Sequence, residues 1–249
     1  MIEAHNLSKS HANTHVLAGI NLAIDEGEFV TLVGTSGCGK STFLKMLLGV
    51  ESATSGELLI DGKPISTEPG PDRGIVFQHY SVFPHLTVLG NVMAARGFAH
   101  KGLTARLYGE QRSNARTESL QMLEQVGLSN ALEKYPHELS GGMQQRLAIA
   151  QTLMSKPRVL LLDEPFAALD LGIRADMQEL LLQLWRERTL TIVMVTHSLS
   201  EGFYLGTRVV VFDKLVSGSH EPNTTGATVT YDLPSDETKQ DERDNELID

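Results

Sequence analysis

The chain has 249 residues, 41% of them hydrophobic, enough for one large domain or two small ones around an independent core. Its 31 acids against 21 bases give a formal charge of -10, which argues against a nucleic-acid footprint. The single Cys38 excludes a disulfide within the chain, the N-terminus lacks the charged-then-apolar layout of a secretion signal, and no run approaches the roughly 20 apolar residues that cross a bilayer, so the expected protein is folded and cytoplasmic. Ile2 to Leu7 and Val16 to Ile24 alternate apolar and polar positions, which predicts antiparallel strands on the N-terminal side. Phe29 to Val33 reads as a buried strand and Ser41 to Leu48 as the helix after it. Gly74 to Phe77 is the next strand. From Leu86 to Lys156 strand signals vanish, and helical patterns at Thr87 to Arg96, Ser113 to Val126 and Gly141 to Met154 predict a helical subdomain, about 86–156, inserted in the core. Strands return at Val159 to Leu162, Leu190 to Thr196 and Arg208 to Phe212, with a helix at Ala175 to Arg188 between them. This alternation predicts an α/β fold with a mostly parallel sheet.

One domain is expected over 1–218 and a C-terminal extension over 219–249. Ser219 to Thr225 is a turn-rich bridge, and Thr228 to Leu233 can form a further strand. From Asp232 to Asp249 eight acids face only Lys239 and Arg243, a net of -6. Such composition predicts a disordered, solubilising tail, with a regulatory role as the alternative.

Gly34-Thr35-Ser36-Gly37-Cys38-Gly39-Lys40-Ser41 follows an apolar strand and opens a helix, the context that a phosphate-binding loop requires. Its glycines let backbone N–H groups curl around phosphate oxygens, and the helix N-terminus adds a favourable dipole. With the neighbouring Thr42 these residues form the expected nucleotide cradle, Lys40 reaching the β- and γ-phosphates and Ser41 the Mg²⁺. Cys38 lies in the loop, where a passive small residue and a thiol facing the nucleotide are both open; on the second reading a thiol reagent competes with ATP. Val159 to Leu162 delivers Asp163, which suits the Mg²⁺ shell, and Glu164 beside it is the candidate general base for water. Between loop and acids stands Leu139-Ser140-Gly141-Gly142-Met143-Gln144-Gln145-Arg146, a second Gly-rich helix start whose N–H donors have no evident phosphate in the same subunit.

In this order the motifs resemble the ATP-binding subunit of an ABC transporter, over roughly Met1 to Asp213. The resemblance implies a P-loop NTPase core that binds ATP and Mg²⁺ and closes as a homodimer around two ATP molecules. Ser140 and Gly142, with Gly141 between them, would then bind the γ-phosphate of the opposite subunit; Ser140 also suits a helix N-cap. By the same resemblance Gln78 touches Mg²⁺ or the attacking water at a hinge, His197 contacts the γ-phosphate, and Asp170 lies near the dimer seam, where it can also cap the next helix. Tyr80, Val82, Phe83 and Pro84 beside Gln78 form an apolar cluster that is either a partner contact or core. The family places an aromatic residue, often Tyr, near the end of the first strand to stack on adenine. Here the aligned residue is His11, which has less stacking area. The remaining histidines show no metal-ligand spacing, so zinc is not expected.

A chain without spans implies two separate membrane permease subunits, a peripheral place on the cytoplasmic face of the membrane, and indirectly a solute-binding protein. Pro69 to Gln78, Met143 and Glu201-Gly202-Phe203-Tyr204 resemble the nitrate, sulfonate and taurine importer ATPases. Two other readings compete: a soluble ABC ATPase acting on nucleic acid or ribosomes, and a non-hydrolysing regulatory module. The first lacks a coiled-coil insertion, a second cassette and a basic stripe in this chain; intact Lys40, Asp163, Glu164 and His197 argue against the second.

Overall fold

The computed structural model describes residues 1–12, 14–78, 81–101, 108–214 and 226–235. In chain order β1 (Ile2–His11), β2 (Thr14–Ile24), β3 (Phe29–Gly34), α1 (Lys40–Leu48), β4 (Ser55–Ile60) and β5 (Lys63–Pro64) come first. They are followed by β6 (Arg73–Val76), α2 (Val88–Lys101), α3 (Gly109–Gln125), α4 (Gly141–Leu153), β7 (Val159–Asp163) and α5 (Leu171–Glu187). The last described elements are β8 (Thr191–Val195), α6 (Leu199–Leu205), β9 (Arg208–Lys214) and β10 (Ala227–Pro234). Two compact units emerge, Met1–Pro69 with the residues from Thr191 onward, and Gly70–Leu190.

In the first unit β1 pairs antiparallel with β2, as the alternating N-terminal pattern predicts, and on its other side with β4, which pairs antiparallel with β5. β3 runs parallel to both β8 and β9. β3 and β8 are buried on both faces, from Phe29 to Val33 and through all of β8, which is why they read as near-continuous apolar runs, while β9 is buried at Val209, Val210 and Phe212. β10 joins β9 antiparallel and meets β2 in parallel at Ala227 and Leu17. The strand expected at Thr228 to Leu233 therefore forms, and the acidic end begins inside it. Asp232 there accepts hydrogen bonds from Arg208 Nε at 2.6 Å and Nη2 at 2.9 Å. Arg208 also donates from Nη1 to both carboxylate oxygens of Glu28 at 3.1 Å and from Nη2 to the Ala23 carbonyl at 2.8 Å. The Asp232 hydrogen bonds, with the charges of Asp232 and Glu28, outweigh burial and raise the pKa of the guanidinium above its ordinary value.

In the second unit β6 and β7 pair in parallel, and the described segments between them are helical with short 3-10 turns. α4 lies close on β6: a Cβ on Gly74 would stand 2.4 Å from Thr152 Cγ2. Arg96 Nε reaches Glu118 at 2.7 Å, tying α2 to α3, and Arg146 Nη1 donates to the Val126 carbonyl at 3.0 Å. The unit is wider than the helical segment 86–156, because β6, β7 and α5 belong to it. Tyr80, the bridge Ser219 to Thr225 and the acids from Asp236 onward lie outside the described residues.

Candidate functional site

Residues Gly34 to Lys40 join a core strand to a helix within the first unit, so the loop is held at both ends. Phe43 on α1 and Phe212 on β9 pack with ring centroids 5.6 Å apart. Gly34 has φ +152° and a Cβ there would lie 2.1 Å from the Phe212 carbonyl oxygen; Gly39 has φ +88° and a Cβ would lie 2.6 Å from Leu17 Cδ2. Both backbone angle and space thus demand glycine at the two places where the chain curls. No side chain caps the start of α1, whose first N–H groups have no intrahelical partner. Lys40 is 4% exposed, and its Nζ donates to the carbonyls of Gly34 at 2.8 Å and Thr35 at 3.0 Å. Curl, uncapped helix start and ammonium together suit a phosphate chain. The Cys38 side chain is fully buried, with Sγ 3.6 Å from Lys40 Nζ. The expectation that a thiol reagent competes with nucleotide therefore meets a sulfur with no exposed surface.

His197 is brought to the same loop. Thr196 donates its N–H to the Leu32 carbonyl at 3.1 Å and its hydroxyl to the Glu201 carboxylate, while Ser198 caps α6 by accepting the Glu201 N–H at 3.2 Å. This pinned turn puts His197 Nδ1 3.3 Å from the Gly34 carbonyl, the acceptor that also takes Lys40. A carbonyl only accepts, so the contact favours the tautomer with the proton on Nδ1. His11 ends β1 opposite Thr14. Its Nε2 lies 3.3 Å from the carboxylate of Glu51, a residue that nothing in the sequence marks.

The second unit carries the other expected residues. β7 is buried from Val159 to Leu162 and delivers Asp163 and Glu164 at its end. Glu164 has φ +50°, a left-handed backbone rare for a residue with a Cβ. Such strain gathers where function over-determines geometry. The Glu164 carbonyl accepts the Ala167 N–H at 3.3 Å, and the turn that follows leads to Asp170. Asp170 occupies the N-cap position of α5 with an exposed side chain, but it makes no capping hydrogen bond. Ser140 does cap α4, its Oγ 3.4 Å from the Met143 nitrogen. Ser140 and Gly141 are exposed and Gly142 is buried, where a Cβ would stand 2.4 Å from Ile173 Cγ2 of α5. Gly142 is thus also a close-packing residue, which joins α4 to α5. Gln78 lies in an exposed bend just beyond β6.

Beside that bend the loop Ser81 to Thr87 is held by Asn91, which sequence reasoning passed over as one more helical position. Its Oδ1 accepts the Phe83 N–H at 2.7 Å, and its Nδ2 donates to the carbonyls of Phe83, Leu86 and Thr87 at 3.0–3.1 Å. A polar residue in the apolar stretch Val88 to Val92 was the signal available. The loop's Phe83 packs against Phe98 and His85, with centroids 6.1 and 6.0 Å apart. A cavity of about 580 Å³ lined by α3 and the ends of α4 and α5 contains none of the expected site residues. A phosphate cradle is a curl of backbone at a surface, not an enclosed void. Among the described residues no group of three or more His, Cys, Asp or Glu is placed to hold a metal ion, and no helix is long and apolar enough to cross a membrane.

The sequence pattern of the family described as ABC transporter matches residues 17–167. The bicarbonate transport ATP-binding protein CmpD of Synechocystis sp. is 42% identical over 89% of this chain and 74% of its own length. The nitrate import ATP-binding protein NrtD of the same organism is 44% identical over 89% of this chain and 77% of its own. Among solved structures, the dimeric structure of MJ0796, a bacterial ABC transporter cassette, superposes with a TM-score of 0.76 at 31% identity, covering 95% of this chain and 99% of that one.

Proposed function

This chain belongs to the ABC transporter family, whose members hydrolyse ATP to power transport, and from that membership we propose a specific assignment of site, partners and cargo. It binds ATP with Mg²⁺, hydrolyses it as one of two copies closed around two nucleotides, and drives uptake of a small oxyanion through two separate membrane permease subunits. The observation that carries the nucleotide reading is the loop at Gly34 to Lys40, where one carbonyl gathers both Lys40 and His197 at the uncapped start of a helix.

The roles follow from the donor types. Backbone N–H groups from Gly34 to Thr42 and the Lys40 ammonium neutralise the phosphate chain, which is most of what phosphoryl transfer asks of a protein. Ser41, Asp163 and Gln78 are oxygen donors that would hold Mg²⁺, and the ion would supply neutralisation of the phosphate charge. Glu164 takes the proton of the attacking water, with His197 and Gln78 orienting it at the γ-phosphate. Ser140, Gly141 and Gly142 start a helix whose N–H groups suit an anion, and in a dimer they serve the partner's γ-phosphate, with Asp170 near the seam. The dimeric cassette that this fold matches supports that arrangement.

The relatives named above are a nitrate importer subunit and a bicarbonate transport subunit, an aliphatic sulfonates import subunit is also similar, and the motif resemblance adds taurine importers. Nitrate and bicarbonate are small oxyanions, and sulfonates and taurine carry an anionic sulfonate group with similar oxygen chemistry. The cargo is selected by the permease and a solute-binding protein, and the chain sits peripherally on the cytoplasmic face. The alternative of an ATPase acting on nucleic acid has no support among these relatives.

The test is ATP turnover with and without Glu164→Gln. The variant should lose at least about a hundredfold in kcat, as removal of a general base does, while ATP affinity is kept. Turnover at the wild-type rate would sink the base assignment.

A further inference from the structure

The contact between His11 and Glu51 belongs to a larger cluster. Glu51 follows the Gly49 C-cap of α1. Its carboxylate lies 3.3 Å from His11 Nε2, 3.8 Å from Lys9 Nζ and 3.8 Å from Lys45 Nζ. Lys9 is itself fixed by donating to the Ser52 carbonyl at 2.7 Å, so the carboxylate is reached from β1 and from α1 at once. Glu51 Oε2 is buried and has no hydrogen-bond donor in good geometry, which makes neighbouring positive charge its main compensation. The His11 side chain, by contrast, is 55% exposed, so one edge is engaged while much of the ring stays open to solvent.

The same helix organises the phosphate end. Lys40 opens α1, and Gly39 before it rests on Val16 and Leu17 of β2. His11 pairs across the hairpin with Thr14, two residues from Val16, which is roughly 7 Å along a strand. A nucleotide whose phosphates occupy the loop therefore has two exposed histidine rings close by on the hairpin, His15, whose Nδ1 lies 2.9 Å from Ser10 Oγ, and His11, which alone of the two meets a carboxylate, that of Glu51 at the α1 exit.

We propose that Glu51 is a positioning residue for the nucleotide base: its carboxylate holds the His11 ring as a stacking platform, standing in for the area that a larger aromatic would bring by itself. The inference rests on the reading that ATP binds at the Gly34 to Thr42 loop with its base toward His11. An imidazole offers less surface than a phenol, so its orientation must be fixed if stacking is to count. A phenyl ring at the same place is held by its own packing and has no nitrogen for Glu51 to engage.

The test is a double-mutant cycle on the full chain, with KM for ATP, kcat and thermal midpoint measured for Glu51→Gln, His11→Phe and the double variant. Glu51→Gln should raise KM for ATP about three- to tenfold, with kcat within about twofold, which corresponds to losing one aromatic-type contact. In the His11→Phe background the same substitution should leave KM unchanged. Glu51→Asp, which withdraws the carboxylate by one methylene, should show the same KM rise and serves if the Gln variant does not fold. An unchanged KM in the wild-type background, or an equal rise in both backgrounds, overturns the proposal. His11→Ala isolates the underlying reading: unchanged KM there removes His11 from the base site, whereas a raised KM with a silent Glu51→Gln removes Glu51 alone.

Discussion

Asn91 shows how one buried amide fixes a loop. It is fully buried and makes four hydrogen bonds to the backbone from Phe83 to Thr87, so both ends of the amide are used. Removing it leaves the Phe83 N–H and the Leu86 carbonyl to find other partners in a partly buried place, while the Phe83 and Thr87 carbonyls keep the backbone N–H groups of Leu86 and residue 91. Asn91→Ala should destabilise the chain by about 2–3 kcal/mol, the cost of orphaned buried polar groups, and chemical denaturation should read it directly. Asn91→Asp keeps the acceptor for Phe83 but sets a buried carboxylate oxygen against three carbonyl oxygens, so it should cost more than the Ala variant. An Ala variant as stable as the parent would mean that the loop is held by the packing of Phe83, Phe98 and His85 instead.

At the scale of elements, what the sequence made legible was whatever is buried on both faces or tied to a motif. β3, β7 and β8 stand within a residue or two of the expected runs because an unbroken apolar string has few other uses in a chain of this kind. β4 and β5 were not foreseen: Gly56 has φ +79°, and in β4 only Leu58 is buried, so neither composition nor alternation announces an edge strand. The seven-residue α6 is too short for a periodic signal and is set by the Ser198 cap. Phosphate-loop residues were legible because glycine spacing and local backbone geometry determine one another. Glu51 was not, since its partners His11 and Lys9 come from a strand forty residues earlier in the chain. The clasp of Arg208 on Glu28, Ala23 and Asp232 is likewise non-local, and it binds the starts and ends of four strands. Asp232→Asn should cost about 1 kcal/mol, discounted for a carboxylate that is 40% exposed. The loss should shrink in 1 M salt, where the wild-type pair is itself screened; a loss independent of salt would point to geometry rather than charge.

For the whole molecule, the exposed Ser140 and Gly141 at the start of α4 and the exposed Asp170 at the start of α5 are the surface that we assign to the second copy. A monomer should therefore bind ATP and hydrolyse it poorly. Glu164→Gln with ATP should migrate as a dimer in sedimentation, and adding Ser140→Arg should return it to a monomer that still binds nucleotide; a dimer surviving that substitution would place the contact elsewhere. The φ of +50° at Glu164 carries a different consequence. Glycine would sit there without strain, worth on the order of 1 kcal/mol, but it has no group for the proton-accepting role that we propose for Glu164. Glu164→Gly should therefore raise the thermal midpoint while abolishing ATP turnover, so that at this one position heat resistance and activity pull in opposite directions; a midpoint that falls would show that the side chain itself supports the fold.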